Sequence, residues 1–144
     1  KQYNGGMTMS TKFWGEGNIG TKPEFREFAN GNKEPRRLLR LNVYFDNPVP
    51  KGDGEYEDRG GFWANVELWH KDAERYSELY SKSMRVLVIG RMVMDKWEDD
   101  NGEERSAVKV QASRVGILLH RVLSIAMISN EQTLKESRDW SVHD

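Results

Sequence analysis

The sequence predicts an all-β domain with one short helix, and three kinds of local pattern support this. Residues 38–45 and 62–69 alternate apolar and polar side chains, which is the period of a half-buried strand. Residues 85–118 contain two runs of strand formers on either side of an Asn-Gly dipeptide at 101–102, which is typical of a hairpin turn. Residues 72–82 carry apolar side chains at helical spacing, and their first residue, an Asp, can cap the first turn.

The first predicted strand opens at residues 12–14, and Gly15, Gly17 and Gly20 predict a tight turn that leaves it. The second strand ends before the Pro-containing residues 47–50, since proline cannot donate to a sheet ladder. Five strands result, and the helix falls between the third and the fourth. This is the order of an OB-fold, a five-stranded Greek-key barrel that binds oligonucleotides or oligosaccharides.

The composition is that of a globular chain, with 37% hydrophobic and 31% charged residues among 144. The chain has no Cys, which excludes disulfides, thiolate nucleophiles and Cys-based metal sites and fits a cytoplasmic location. The longest nearly apolar stretch, residues 115–128, is too short to span a bilayer, so no membrane association is predicted. We expect a leader or cloning remnant at residues 1–10, an OB-fold domain at residues 11–118 and a C-terminal extension at residues 119–144.

The net charge of the whole chain differs from that of the part outside two acidic segments. The chain has 22 Lys and Arg against 23 Asp and Glu, and this net charge of −1 by itself argues against a nucleic-acid partner. Nine of the acids, however, fall in two short segments without a base, residues 53–58 and 98–104. Setting these nine aside leaves 22 bases against 14 acids. If both segments are loops, the body between them is basic, although charges spread over a solvated surface would give the same count.

Catalytic chemistry finds little support in the sequence. Residues 15–20 match G-x-G-x-x-G, but a dinucleotide site needs a helix directly afterwards, and residues 21–23 begin no helical pattern. His70, His120 and His143 are scattered, and none stands at a metal-ligand spacing from another. No catalytic residue, cofactor or metal site is therefore predicted, and an enzyme that uses the glycine-rich turn remains an alternative.

Aromatic side chains recur on strand faces that also carry polar groups. Trp63 and Trp69 share a face of the third strand with two polar residues, while the opposite face is wholly apolar and must face the core. Unpaired bases stack on exposed indoles whatever the sequence of the nucleic acid. Packing in the core or at a subunit interface would also account for these residues. Seven cations on the same strands or at their ends are candidates for phosphate contacts: Lys71, Lys82, Arg85, Arg91, Lys96, Arg105 and Lys109.

Four blocks of the sequence, in matching order and spacing, resemble bacterial single-stranded DNA-binding proteins. Residues 17–31 begin GNIGTKPE and end in Asn-Gly, like the family stretch G-N-L-G-x-D-P-E…N-G, and residues 63–69 (WANVELW) resemble its W-x-x-V-x-[LF]-[FW] strand. Residues 73–82 (AERYSELYSK) are similar to the helix A-E-x-x-x-x-Y-L-x-K. Residues 86–109 follow the pattern V-x-[IV]-x-G-x-x-x-x-x-x-W-x-[DN]-x-x-G-x-x-R. The match covers about residues 12–118.

The resemblance implies sequence-independent binding of single-stranded DNA by an OB-fold without catalytic activity. It also implies a homotetramer around which the strand wraps, with a dimer as the alternative. By position, Trp63, Trp69 and Trp97 fall on the family's base-stacking aromatics, and Lys71, Lys82, Lys96 and Arg105 fall on its backbone-binding cations. A further stacking aromatic of the family falls near Val49 here, so Phe45, Tyr44 or Tyr56 is expected to replace it.

Two departures from the family pattern limit what the resemblance implies. The first strand carries Gly15 and Glu16 where the family is usually aliphatic, which bears on subunit packing through that strand. Residues 119–144 lack the Gly/Pro/Gln-rich tail with an acidic-aromatic tip, so no particular protein partner is implied. We expect a divergent member that serves replication, recombination, repair or the transfer of a mobile element. An OB-fold interaction module, similar to primosomal accessory proteins, is the alternative.

Overall fold

The computed structural model describes residues 11–129, which contain eight strands, one α-helix and one 3-10 turn. The strands are β1 (Thr11–Ile19), β2 (Glu24–Asn30), β3 (Lys33–Phe45), β4 (Pro48–Pro50), β5 (Tyr56–Asp58), β6 (Phe62–Trp69), β7 (Arg85–Glu98) and β8 (Glu104–Ile117). The helix α1 spans Ala73–Leu79, and the 3-10 turn spans Leu119–Arg121. The expected leader at residues 1–10 and most of the expected C-terminal extension lie outside the described residues.

Six of the strands form one sheet in the order β1-β7-β8-β6-β3-β2, and β1 also pairs with β3, so the sheet closes on itself. Paired strands are antiparallel except for β6 and β8, which run parallel. β4 and β5 form a separate two-stranded sheet. The all-β class is confirmed, and so is the position of the helix, which lies between β6 and β7.

The strand count exceeds the predicted five because β2, β4 and β5 carry weak sequence patterns. In β2, only Phe25 packs against the core, while Arg26, Glu27 and Phe28 are exposed. β2 lies at the edge of the sheet and pairs with the long strand β3. Its strand conformation therefore depends on this neighbour, which no alternation within residues 24–30 reveals.

The glycine-rich segment is mostly strand, so the prediction of a tight turn beginning at Gly15 is wrong. β1 continues through Ile19, pairing with β7 and, from Gly17 onward, also with β3. A Cβ atom at Gly17 would overlap the carbonyl oxygen of Tyr44, so glycine permits the close approach that closes the sheet. The next element is the strand β2, so the segment lacks the strand-turn-helix arrangement of a dinucleotide site.

The core lies inside the closed sheet. The predicted alternation is confirmed on both β3 and β6, whose inward side chains are buried while most side chains of the other face reach solvent. Apolar residues of β1, β7 and β8 complete the same cluster. Its fully or nearly fully buried members include Ile19, Leu39, Leu41, Val43, Phe45, Ala64, Val66, Leu68, Val86, Val88, Val110 and Val115.

The helix α1 is shorter than the predicted residues 72–82 and packs against β2 and β3. Asp72 occupies the N-cap position, but its side chain makes no capping hydrogen bond. After the helix, the Tyr80 hydroxyl donates a 2.6 Å hydrogen bond to the Val115 carbonyl, and burial raises the pKa of Tyr80 to about 12. None of the helices within residues 11–129 has the length and apolar character needed to cross a membrane.

Candidate nucleic-acid interface

The outer side of β3 and β6, which we call the β3–β6 face, carries two of the predicted stacking residues. Trp63 is 54% exposed and Trp69 is 37% exposed, as the alternation of β6 predicts. Tyr44 pairs with Trp63 and Leu38 pairs with Trp69 in the β3–β6 register, so residues from both strands share this face. The face therefore presents two indoles at opposite ends of β6.

Each of these indoles contacts a second aromatic ring. The Trp63 ring lies 5.3 Å from the Tyr44 ring, and the Trp69 ring lies 5.6 Å from the Phe28 ring, between centroids. The Arg36 guanidinium also lies over Trp69, 4.1 Å from the ring centroid. Phe28 and Arg36 are opposite one another in the β2–β3 register. Sequence reasoning missed both, and recognition of β2 as a strand would have paired them.

A hydrogen-bond network ties the base of the β4–β5 hairpin to Tyr44. The Tyr44 hydroxyl donates to Asp58 Oδ2 at 2.6 Å, and the Asn47 backbone N–H donates to Asp58 Oδ1 at 2.8 Å. These bonds favour the ionised carboxylate and hold the pKa of Asp58 below its ordinary value, while the same carboxylate raises the pKa of Tyr44. Asp58 therefore does more than add negative charge at a flexible loop, because it fixes the ring that contacts Trp63.

Trp97 lies on the distal hairpin, by which we mean residues 95–107 of β7, β8 and their turn. Here the two strands pair only with each other within the described residues. Trp97 is 49% exposed and shares a strand face with Asp95, whose carboxylate lies 3.9 Å from Lys109 Nζ. Lys109 also contacts Glu67 of β6, so Trp97 lies on the same outer surface as the β3–β6 face.

Four of the seven predicted phosphate-binding cations already have polar partners. Arg85 forms ion pairs with Asp46 and Glu16 at 2.8 Å, and the hydrogen bonds that its guanidinium donates to Asp46 raise its pKa. Arg105 pairs with Asp99 at 2.8 Å, and this contact lowers the pKa of Asp99.

Lys109 pairs with two acids, as described above, and Arg91 donates a 2.6 Å hydrogen bond to Gln111 Oε1. The remaining three, Lys71, Lys82 and Lys96, are exposed and form no ion pair within the described part of the chain. Their side chains are therefore available to a ligand.

The two other aromatic candidates differ sharply in position. Phe45 is 3% exposed and packs edge-on against Phe13 in the core, so it does not fit the expected stacking role. Tyr56 lies exposed on β5. Tyr44, the third residue considered for this role, is the one that joins Trp63 on the outer surface.

The β3–β6 face also carries polar residues that sequence reasoning did not select. Arg40 and Asn42 of β3, with Asn65 of β6, border a hollow of about 220 Å³ that Thr21, Lys22 and Glu24 complete. Arg40 contacts Glu67 at 3.4 Å. Within residues 11–129 no cluster of His, Asp or Glu could hold a metal ion. The face thus combines aromatic surfaces with cations and amides, the groups that receive bases and phosphates.

Comparison with known proteins agrees with this chemistry. Residues 11–118 match the model of the single-strand binding protein family. A single-stranded DNA-binding protein of Corynebacterium glutamicum is 39% identical over 101 residues, which cover 69% of this chain. The chain spans only 43% of that relative's length.

Solved structures share the fold. A small single-stranded DNA-binding protein of Streptomyces coelicolor superposes with a TM-score of 0.66 at 20% identity, over 79% of this chain and 99% of the other. The Plasmodium falciparum protein solved in complex with single-stranded DNA gives a TM-score of 0.58 at 16% identity, over 77% of this chain and 97% of the other. These likenesses confirm the predicted OB-fold. Because the family model covers most of the chain, this protein belongs to the single-strand binding protein family.

Proposed function

We propose that this protein binds single-stranded DNA without sequence preference, by stacking bases on Trp63, Trp69 and Trp97. The observation that carries the proposal is that three partly exposed indoles share one outer surface of the sheet in a chain of this family. Exposed indoles cost hydration free energy, and a stacked base recovers about 1–3 kcal/mol per position. Every base has an aromatic face, so this mode of binding tolerates any sequence.

We assign the phosphate contacts to exposed cations that lie near these rings in the sequence or at the ends of the same strands. Lys71 follows Trp69 after the end of β6, and Lys96 precedes Trp97 in β7. Lys82 lies beyond α1 at the start of the turn into β7. All three are exposed and unpaired within the described residues, so they bind phosphate without first losing an internal partner. Arg36, already over Trp69, is a fourth candidate.

The biological role follows from this activity. The protein coats exposed strands, keeps them from re-annealing and shields them from nucleases during replication, recombination, repair or element transfer, without a catalytic step of its own. Homo-oligomer formation is supported by β1, whose residues 11–16 pair only with β7 in the described structure and expose Trp14. A tetramer is the expected state, with a dimer as the alternative.

The test is a titration of intrinsic tryptophan fluorescence with oligo-dT at low and at high salt. We expect strong quenching at low salt that salt reverses, because stacking quenches indoles and phosphate contacts release counterions. The slope of log K against log salt is expected near −0.7 for each phosphate contacted. Little quenching at low salt would instead favour a protein-interaction module of the primosomal accessory type.

A further inference from the structure

We propose that Glu67 limits the affinity of this surface for single-stranded DNA by holding Arg40 and Lys109 away from phosphate. Glu67 is then an affinity-setting residue of the interface, in addition to the rings and free cations described above. The inference rests on the proposed function.

Glu67 stands at the centre of a row of alternating charges that crosses five strands. Glu24 of β2 lies 3.6 Å from Arg40 of β3, which lies 3.4 Å from Glu67 of β6. Glu67 lies 3.7 Å from Lys109 of β8, which in turn lies 3.9 Å from Asp95 of β7. The row therefore contains two cations enclosed by three acids, and its own net charge is −1.

This row lies between the stacking positions. Along β6, Trp63 and Trp69 are six residues apart, a span of about 20 Å, and Glu67 lies between them on the same face. Lys109 and Asp95 continue the row towards Trp97. A strand that stacks on all three indoles must therefore cross or skirt the row, with its phosphates close to Arg40 and Lys109.

Glu67 is the acid of the row that cannot move aside. The Glu67 side chain is 10% exposed, whereas the side chains of Glu24 and Asp95, at the two ends of the row, are about half exposed. An exposed carboxylate swings into water at little cost, but a buried one that loses its partners retains a large desolvation penalty. A phosphate that approaches Arg40 through the adjoining hollow must compete with Glu67 for the guanidinium.

The test compares Glu67→Gln with a matched control, Glu27→Gln. Glu27 pairs with Arg37 at 2.9 Å on β2 and β3, but on the strand face opposite to Phe28 and Trp69. Both substitutions remove one ion-paired carboxylate, so they change the net charge equally. For Glu67→Gln we expect oligo-dT to bind about three- to tenfold more tightly at low salt. Two freed cations should also steepen the salt slope by up to about 1.4.

For Glu27→Gln we expect a gain of less than about twofold, because long-range charge effects are screened. Equal gains in the two variants would overturn the proposal, since net charge alone would then explain them. If the wild-type protein binds oligo-dT but Glu67→Gln does not bind more tightly, the role of Glu67 falls and the proposed function stands. If neither the wild-type protein nor Glu67→Gln binds oligo-dT, both the role of Glu67 and the proposed function are wrong. Tighter binding by Glu67→Gln alone supports both.

A second variant, Lys109→Gln, tests the same coupling without altering Glu67. In the wild-type background we expect less than about a twofold loss of affinity, because the charge of Lys109 is already neutralised. In the Glu67→Gln background the same change should remove about half of the gain in binding free energy, because Arg40 stays free of Glu67, and a purely structural role would not produce this non-additivity. A loss of tenfold or more in the wild-type background would show that Lys109 is free to bind phosphate and would overturn the proposal.

Discussion

The β3–β6 face and the distal hairpin hold their tryptophans in different ways. Trp63 and Trp69 each contact a second ring, and Arg36 covers part of Trp69. Trp97 has no such ring contact within the described residues, and its position depends on the pairing of β7 with β8. Rings that are already fixed lose less conformational entropy when a base stacks on them. The comparison indicates that the same residue type is preorganised in one region and adaptable in the other.

The two regions also differ in what a nearby acid does. Asp58, in the β4–β5 hairpin, binds Tyr44 and so orders a ring of the β3–β6 face. Asp99, at the turn of the distal hairpin, accepts hydrogen bonds from the backbone of its own turn and from Arg105. Asp58 thus holds an aromatic ring in place, whereas Asp99 stabilises its own turn and forms an ion pair with Arg105.

The largest expected effect comes from removing one indole in each region. Trp63→Ala should weaken oligo-dT binding by about 1–3 kcal/mol, and Trp97→Ala by about 1 kcal/mol, because the preorganised ring contributes more. Fluorescence titration measures both. Thermal melting serves as the control, since both side chains are about half exposed and neither belongs to the core cluster. Greater loss for Trp97→Ala would contradict the ranking of the two regions.

An intermediate effect is expected from Gly20→Ala, which acts on the β3–β6 face only. A Cβ atom at Gly20 would overlap the outer atoms of the Trp63 ring, so the ring must shift while the fold persists. We expect affinity for oligo-dT to fall about two- to fivefold, because stacking depends on the ring position. The same substitution in a Trp63→Ala background should have almost no effect, and a similar loss there would show that Gly20 acts through another group.

The smallest effect is expected from lowering the pH. The pKa values of Asp58 and Asp99 are both lowered in the fold, by the Tyr44 hydrogen bond and by Arg105 respectively. A depressed pKa contributes stability that is present above the ordinary value of 3.8 and is lost as the pH falls through the lower folded value.

NMR of the indole N–H resonances distinguishes the two acids. Below pH 3.8 the Trp63 resonance should shift as Asp58 is protonated, and Asp58→Asn should abolish this acid response while Asp99→Asn leaves it in place. A Trp63 resonance that responds to Asp99→Asn and not to Asp58→Asn would contradict the assignment of Asp58 to Tyr44.

Several features of the site follow from local sequence pattern. The alternation of β6 correctly predicts the outward positions of Trp63 and Trp69, since successive side chains of a strand point to opposite faces. The same rule applied to β3 places Phe45 with the core residues Leu41 and Val43, so its burial was already implied by the sequence. The Asn-Gly turn is confirmed as well, with Gly102 at a positive φ of 80°.

By itself the sequence determined the fold class, the faces of the strongest strands and the family blocks, because each depends on short-range order along the chain. Only the tertiary structure decided which residues meet across strands. The contact of Phe28 with Trp69 requires β2, and the contact of Arg36 with Trp69 requires the pairing of β3 with β6. The charge row through Glu67 draws on five strands. Such neighbours are fixed by strand register and by closure of the sheet, which arise from contacts between residues far apart in the chain.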